Sequence, residues 1–366
     1  MRRRGFTIVE LLLAVSLLAV LLVTSGAVFK MAVKTHVTAA ATAEISRKLR
    51  GITDQLDADF RGLRKDGIVF AIWVPAPVDK NGKVLATPTP GNVAGYKRFD
   101  RMLFFSDGDF YSYNQWQYMS TTGTPSLDIV RGNIARVCYM PAEAGNNVKA
   151  QSMEDRKRIL ARSQHILVKD PTLALRDFPD FANMPIPLQG LPNSVYIDNN
   201  NTREYDWATL TEWNQASLDQ LAEMFTVAMD AKVKRSWAGE AIDPTEGGVE
   251  VNLQSDPPTN VHMLLCEGVG EFTIQVWGDP RGGPRWYPQT EFSGNGIIDA
   301  PADTDFNVTA GNLPDTNNLI YTFYHPSTGA FSTQFGRALK FTFTLYDSRG
   351  VFKEGKKFTH IVYLDD

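Results

Sequence analysis

The chain is poor in the residue types that build reactive centres. Its 366 residues include 2 cysteines and 5 histidines. Cys138 and Cys266 form no C-x-x-C pair, and His36, His165, His262, His325 and His360 are scattered without metal-ligand spacing, so neither a redox dithiol nor a zinc centre is expected. An excess of basic charge is also missing. With 37 basic against 41 acidic residues the net charge is -4, which leaves no basic surface for nucleic acid beyond three arginines near the N-terminus. No G-x-S-x-G, phosphate-binding loop or H-E-x-x-H occurs, and the G-x-G at Gly268 to Gly270 leads into a predicted strand rather than a helix. No active site and no cofactor is expected. Asp299, Asp303 and Asp305 crowd one loop and are weak candidate oxygen ligands for Ca²⁺, but their spacing is not that of an EF-hand and solvated acids in a turn are the commoner arrangement.

Proline is absent before Pro75, and the stretch it leaves free is the most informative in the chain. From Phe6 to Phe29 the sequence is almost continuously apolar. About 24 residues rising ~1.5 Å each give a helix of ~36 Å, enough to cross a bilayer core with some tilt. Arg2, Arg3 and Arg4 precede it, whereas only Lys30 and Lys34 follow closely, so the positive-inside rule keeps the N-terminus cytoplasmic and sends the rest outward. A secretory signal places its small-residue cleavage site after the apolar region. Here the Gly5-Phe6 junction lies before it, so processing there retains the apolar helix. Glu10 is the exception within the run. An ionisable group in a spanning helix costs about 2.5–3.5 kcal/mol or more and calls for a partner, and cleavage after Gly5 creates one in the amine of Phe6, one helical turn away in the same or a neighbouring helix.

Residues Gly5 to Ala14, G-F-T-I-V-E-L-L-L-A, resemble the type IV prepilin signature shared by pilins and type II secretion pseudopilins. The resemblance implies that a membrane prepilin peptidase cuts between Gly5 and Phe6 and methylates Phe6. It also implies that Glu10 sets subunit register by neutralising the terminal amine of an adjacent subunit. An ordinary signal anchor with one stray acid is the alternative.

Beyond the apolar run, Ile45, Leu49, Ile52, Leu56, Phe60 and Leu63 recur at spacings of three and four between charged residues, the pattern of an amphipathic helix. Spanning and amphipathic parts are expected to form one helix from Phe6 to about Lys65, bending if anywhere at Gly26, Gly51 or Gly62; a break near Ala39 to Thr42 is the alternative. From Gly67 the texture changes to short β-branched and aromatic runs separated by turn residues. Strands are predicted at Ile68 to Val74, Met102 to Ser106, Phe110 to Tyr113, Gln115 to Met119, Ile134 to Met140 and Ile159 to Val168, with a hairpin turn at Asp107-Gly108. Later, Phe272, Ile274 and Val276, then Phe341, Phe343 and Leu345, alternate with polar residues and predict strands buried on one face. A hairpin through residues 346–350 closes the chain with Phe358 to Leu364. The fold class expected is α+β, with the amphipathic helix covering the apolar face of an antiparallel sheet.

A finer resemblance, to the minor pseudopilin of the J class and its type IV pilus counterpart, rests on Leu56 to Arg61, Arg101 to Ser106, Val269 to Trp277 with Trp286, and Ala338 to Leu364. It implies a pilin-like fold, with residues 1–5 as leader, 6–29 as transmembrane helix, 30–65 as periplasmic helix and 66–366 as a periplasmic β-rich lobe. It further implies an inner-membrane subunit that assembles with other minor and major pseudopilins as a hetero-oligomer for protein secretion. Residues 169–258 depart from the family pattern as a loop-rich insertion in which Ser217 to Val233 reads as a helix, and Asp279 to Gly336 is a second long, turn-rich departure. A membrane-tethered periplasmic enzyme or binding protein working through residues 169–258 is the competing reading; Glu10 separates the two, because an anchor needs no carboxylate there. Cys138 and Cys266 both lie outside the cytoplasm in this topology, where a disulfide persists, but both sit in apolar runs that suit buried free thiols.

Overall fold

The computed structural model describes residues 7–72, 75–80, 95–119, 125–144, 158–168, 204–206, 209–215, 249–251, 261–277, 286–287, 320–324 and 337–364. Helix α1 (Ile8–Arg61) runs for 54 residues without a break, about 81 Å at the standard rise. It continues through residues 39–42 and through Gly26 and Gly51, so the helix-loop-helix alternative is not formed. It stops at Gly62, where a Cβ would run into the Asp107 carbonyl oxygen and the Ser106 hydroxyl. Only glycine fits where the helix end meets the sheet.

The strands after α1 fall into two principal sheets. The larger has the order β12 (Ile320–Tyr324), β1 (Val69–Ile72), β4 (Arg101–Met119), β5 (Pro125–Ala144), β6 (Ile159–Leu167) and β7 (Tyr205–Asp206), with β8 (Val249–Val251) on β5 and β9 (Leu264–Glu267) on β6. The smaller has the order β11 (Trp286–Tyr287), β10 (Val269–Trp277), β13 (Ala338–Leu345) and β14 (Lys356–Tyr363). The short strands β2 (Pro75–Val78) and β3 (Gly95–Arg98) pair with each other. One short helix, α2 (Leu210–Asn214), and a 3-10 turn (Val261–Met263) complete the described elements. The architecture is α+β, a long N-terminal apolar helix followed by a mostly antiparallel β domain, consistent with a pilin-like fold.

Two expectations about the strands are corrected. Asp107-Gly108 is not a hairpin turn: β4 continues through it for 19 residues, and the register against β5 shifts between Asp107 and Phe110. A two-residue hairpin of this sequence needs a positive φ at glycine, and among the described residues the positive-φ glycines are Gly268, Gly350 and Gly355. Asp107-Gly108 therefore forms a bulge within the strand. Strand β10 is also not buried on one face alone, since Glu271, Thr273 and Gln275 are buried along with Phe272, Ile274 and Val276. Its edge is closed by residues 98–100. The Ile274 amide donates to Asp100 (2.7 Å), the Ile274 carbonyl accepts from Arg98 (3.0 Å), and the Asp100 amide donates to the Phe272 carbonyl (2.8 Å). The final hairpin is present as β13 and β14, and β14 does alternate, its even-numbered residues the more covered.

The core forms where α1 crosses both sheets. Ile45, Ile52, Leu56 and Phe60 of the helix meet Phe104, Val137 and Tyr139 of the larger sheet and Phe272, Phe341 and Phe343 of the smaller. The Phe60 ring stacks on Phe104 at 4.3 Å and lies 5.5 Å from Phe341. All four stretches that carry the finer resemblance contribute to this core. One charged group is built into it: Asp59, 4% exposed, accepts two 2.6 Å bonds from Arg162, one from the Tyr139 hydroxyl and one from Gln55 at 3.0 Å. Asp59→Ala leaves the Arg162 guanidinium without its carboxylate and is expected to cost about 3–5 kcal/mol. Urea titration reads this as a lowered midpoint, and an unchanged midpoint would show that the Asp59–Arg162 pair does not hold the helix.

Candidate functional site

The first half of α1 is the largest apolar surface of the described chain. Every residue from Thr7 to His36 is exposed, and Leu11, Leu12, Leu13, Leu17, Leu18 and Leu22 each show more than half of their surface. Two of its hydroxyls bond to the helix's own backbone. The Ser16 hydroxyl donates to the Leu13 carbonyl (2.8 Å), and that of Thr24 to the Val20 and Leu21 carbonyls (3.0 Å each). A helix so satisfied suits hydrocarbon, which offers polar groups no other partner. This is the one described helix long and apolar enough to cross a membrane.

Glu10 sits in the first turn of that helix. Thr7 is the N-cap: its hydroxyl accepts from the Glu10 amide (3.3 Å), while the Glu10 carboxylate accepts from the Thr7 amide (2.9 Å) and hydroxyl (3.0 Å). This reciprocal box satisfies donors that a helix N-terminus otherwise leaves open, and places the carboxylate at the positive end of the helix dipole. The carboxylate thus already points back toward the start of the chain. A neighbour's cation reaching it exchanges with the Thr7 donors rather than meeting a bare charge. Gly5 and Phe6 lie outside the described residues.

Where α1 enters the lobe, polar pins hold it. The Glu44 carboxylate accepts from the Ser348 amide (3.0 Å) and hydroxyl (2.9 Å) and pairs with Lys48 (2.9 Å), whose ammonium also donates to the Tyr346 carbonyl (2.8 Å). Partial burial pushes the Glu44 carboxyl up, but Lys48 and the Ser348 donors outweigh it and keep its pKa below the ordinary value. The loop that supplies Ser348 is itself braced, since buried Asp347 accepts from the amides of Val351 (2.8 Å) and Phe352 (2.9 Å). Further along, His360 lies 2.8 Å from Asp57, before the Asp59 cluster described above.

A family model for the prokaryotic N-terminal methylation motif matches residues 1–25. The chain carries a prepilin-type N-terminus. That finding supports the type IV prepilin-like family, and with it processing by a prepilin peptidase, assembly with other pilin-type subunits and membrane anchoring near the N-terminus. It indicates a structural, pilin-like protein. No curated protein and no solved structure matches the chain.

The remaining candidates lie away from this helix. Cys138 and Cys266 are free, buried thiols. In register, Cys138 faces Ser163 of β6 on one side while Cys266 faces Leu160 of β6 on the other, so β6 runs between them. Two strand spacings amount to about 9–10 Å, beyond the ~7 Å Cα reach of a disulfide. The candidate bridge is therefore not made in this structure. Burial pushes the thiol of Cys266 up to about 11. Asp299, Asp303 and Asp305, and the helix expected over Ser217 to Val233, lie outside the described residues. Among the described residues no group of three His, Cys, Asp or Glu side chains is placed to hold a metal ion.

The cluster that sequence reasoning missed is on the face of the larger sheet away from α1. There Arg136 donates to both oxygens of Asp206 (2.6 and 3.0 Å), His165 Nδ1 lies 3.1 Å from the same carboxylate, and the guanidinium stacks 5.1 Å from the Trp213 ring. Burial alone raises the Asp206 carboxyl, but Arg136 and His165 hold it well below the usual carboxylate range. The signal available in the sequence was the parity of Arg136 within the run Ile134 to Met140, opposite to that of Val137 and Tyr139.

For the helix itself, Thr7→Ala removes the capping hydroxyl and is expected to cost about 1 kcal/mol locally. Amide exchange in detergent micelles should show the first turn, including the Leu11 amide bonded to the Thr7 carbonyl, opening severalfold faster, with residues 45–60 unchanged. Equal exchange in both forms would mean that the box contributes nothing to the helix start.

Proposed function

We propose that this chain is a minor pseudopilin, a structural subunit that joins other minor subunits in a tip or priming complex of a type II secretion pseudopilus. The observation that carries the reading is Glu10 on a helix whose first 30 described residues its own lobe leaves uncovered. The box with Thr7 serves the start of any helix, and helices packed side by side have a further use for the carboxylate, which is to neutralise a neighbour's terminal amine. In this reading residues 1–5 are the leader, 6–29 span the inner membrane with the N-terminus cytoplasmic, and 30–366 stand in the periplasm. Peptidase cleavage between Gly5 and Phe6 exposes the amine that is then methylated. The N-terminal motif fits a minor pilin of a type IV pilus equally, so the two machines are told apart by which subunits accompany the protein.

Support for a minor subunit comes from the four stretches at α1's end, β4, β10 and the closing hairpin, which resemble the J class and meet in one core. The described parts of the insertion are Glu204 to Asp206 and Thr209 to Gln215, which lie as a cover on the larger sheet, and Val249–Val251, which pairs with β5. Glu10 is what favours an assembling subunit over a tethered enzyme.

Glu10→Ala is expected to leave expression and cleavage intact while abolishing complementation of a deletion strain; normal complementation removes Glu10 from the mechanism. Gly5→Leu is expected to block cleavage, because a side chain crowds the peptidase at the scissile position. Mass spectrometry of the N-terminal peptide reads this directly, and a mature mass equal to that of the wild type refutes the site. In-membrane crosslinking of the wild-type protein should bring down small prepilin-type subunits, whose identities decide between a secretion and a pilus machine.

A further inference from the structure

The buried cluster on the far face of the larger sheet holds polar atoms that their surroundings leave idle. His165 is 3% exposed, and its Nδ1 faces the Asp206 carboxylate at 3.1 Å, so in the neutral ring Nδ1 carries the proton and Nε2 presents a lone pair. Nε2 is buried and has no hydrogen-bond partner. The indole nitrogen of Trp213, 0% exposed, is likewise buried without one. Both belong to the contact between the sheet and a short piece of insertion laid over it.

That piece is fastened at a few identifiable points. The Glu204 carbonyl accepts from the Ile166 amide (2.9 Å) and the Asp206 carbonyl from the Val168 amide (3.1 Å). The Glu204 carboxylate accepts from the Asn114 amide (3.0 Å) and side chain (2.8 Å). Trp213 packs 5.6 Å from Phe105, and Asn214 donates to the Asp66 carbonyl at 2.6 Å. The strongest tie is Asp206, gripped by the two-pronged guanidinium of Arg136 and by His165.

We propose that residues 204–206 and 209–215 form a cover that lifts from the larger sheet as pH falls, with the protonation of His165 as the trigger. A second proton on this ring turns Nε2 into a buried donor with no acceptor, in the same contact as the idle Trp213 donor. It also puts a second cation beside Arg136 on a single carboxylate. Opening the cover hydrates both donors and lets water screen the two cations, which stay side by side on β5 and β6.

The groups facing His165 set the direction. From β5 come Arg136, which opposes its charge, and Cys138, whose thiol burial keeps neutral. From the cover come Asp206 and Glu204, which favour the charge. His262, on the 3-10 turn, lies 3.1 Å from Glu204 and stacks on Tyr113 at 4.9 Å. Burial and Arg136 together outweigh the two carboxylates and lower the pKa of His165, and burial lowers that of His262 as well. The closed state therefore binds fewer protons than the open one, and closing weakens as pH drops below the ordinary histidine value of about 6.5. Asp206, held low by Arg136, stays ionised throughout that window.

The test is amide hydrogen exchange on the full chain in detergent micelles between pH 7.5 and 5.5, corrected for intrinsic rates. If the closed ring resists protonation throughout, the open fraction rises by up to about tenfold over this range. The rise should be read at the Ile166 and Val168 amides and over 204–206 and 209–215, with the helix at 45–60 and strand β13 unchanged. In His165→Asn the rise should disappear, and in His262→Asn it should persist. Protection that is flat in the wild type, that changes equally in His165→Asn, that disappears only in His262→Asn, or that is lost across the whole lobe would each overturn the proposal. Should His165→Asn fail to fold, imidazole C2-hydrogen exchange on the wild-type protein reads His165 itself. A midpoint below the ordinary histidine range that tracks the amide opening supports the trigger, and a midpoint at the ordinary value refutes it.

Discussion

One continuous helix must satisfy two surroundings, and the rest of the structure follows from that constraint. Its first half is apolar around its whole circumference and bonds the Ser16 and Thr24 hydroxyls to its own backbone. Its second half is apolar on one stripe only, Ile45, Ile52, Leu56 and Phe60, and that stripe needs a surface to cover it. Neither sheet offers enough alone. The larger sheet supplies Phe104, Val137 and Tyr139, the smaller supplies Phe272, Phe341 and Phe343, and the helix joins them into one core. Had the apolar stripe extended around the second half as well, the lobe would have nothing polar to turn toward water along α1.

Non-directional packing brings layers together, and buried ion pairs orient them. Three Arg–Asp pairs sit at three junctions: Arg162 with Asp59 between helix and sheet, Arg98 with Asp100 at the edge of β10, and Arg136 with Asp206 beneath the insertion. The net contribution of such pairs to stability is small, because desolvating both charges consumes most of their attraction. What the planar guanidinium adds is geometry, since a two-pronged bond to a carboxylate is satisfied in one arrangement only. The Arg162 and Arg136 pairs therefore fix how one layer registers on the next, while Arg98 and Asp100 together shape the segment that bonds to Ile274 of β10.

The helix, the final hairpin and the position of β6 were legible in the sequence because long periodic patterns outweigh local ambiguity. Asp107-Gly108 misled because a dipeptide signals a turn only if the chain beyond it lacks a partner, and here β5 pairs across the bulge and holds β4 straight. Alternation along Phe272 to Val276 misled differently: Thr273 and Gln275 look solvent-facing by type, yet both are buried. The insertion was opaque because its fastening depends on Asp206 and Trp213 reaching Arg136 and His165, residues far away in sequence whose pairing no local pattern encodes. Of the assembly helix, Glu10 stood out by its type alone, whereas its engagement with Thr7 needed coordinates.

The pins along α1 have a mechanical consequence. They sit at Glu44 and Lys48, at Asp57 and at Asp59, so they are spread along most of the buried stretch of the helix, over about 22 Å at the standard rise. Tension drawn along the helix axis from its membrane end meets these fastenings in shear and spreads over them together, rather than peeling them open one after another. The lobe is thus mounted on its helix as a load-sharing joint.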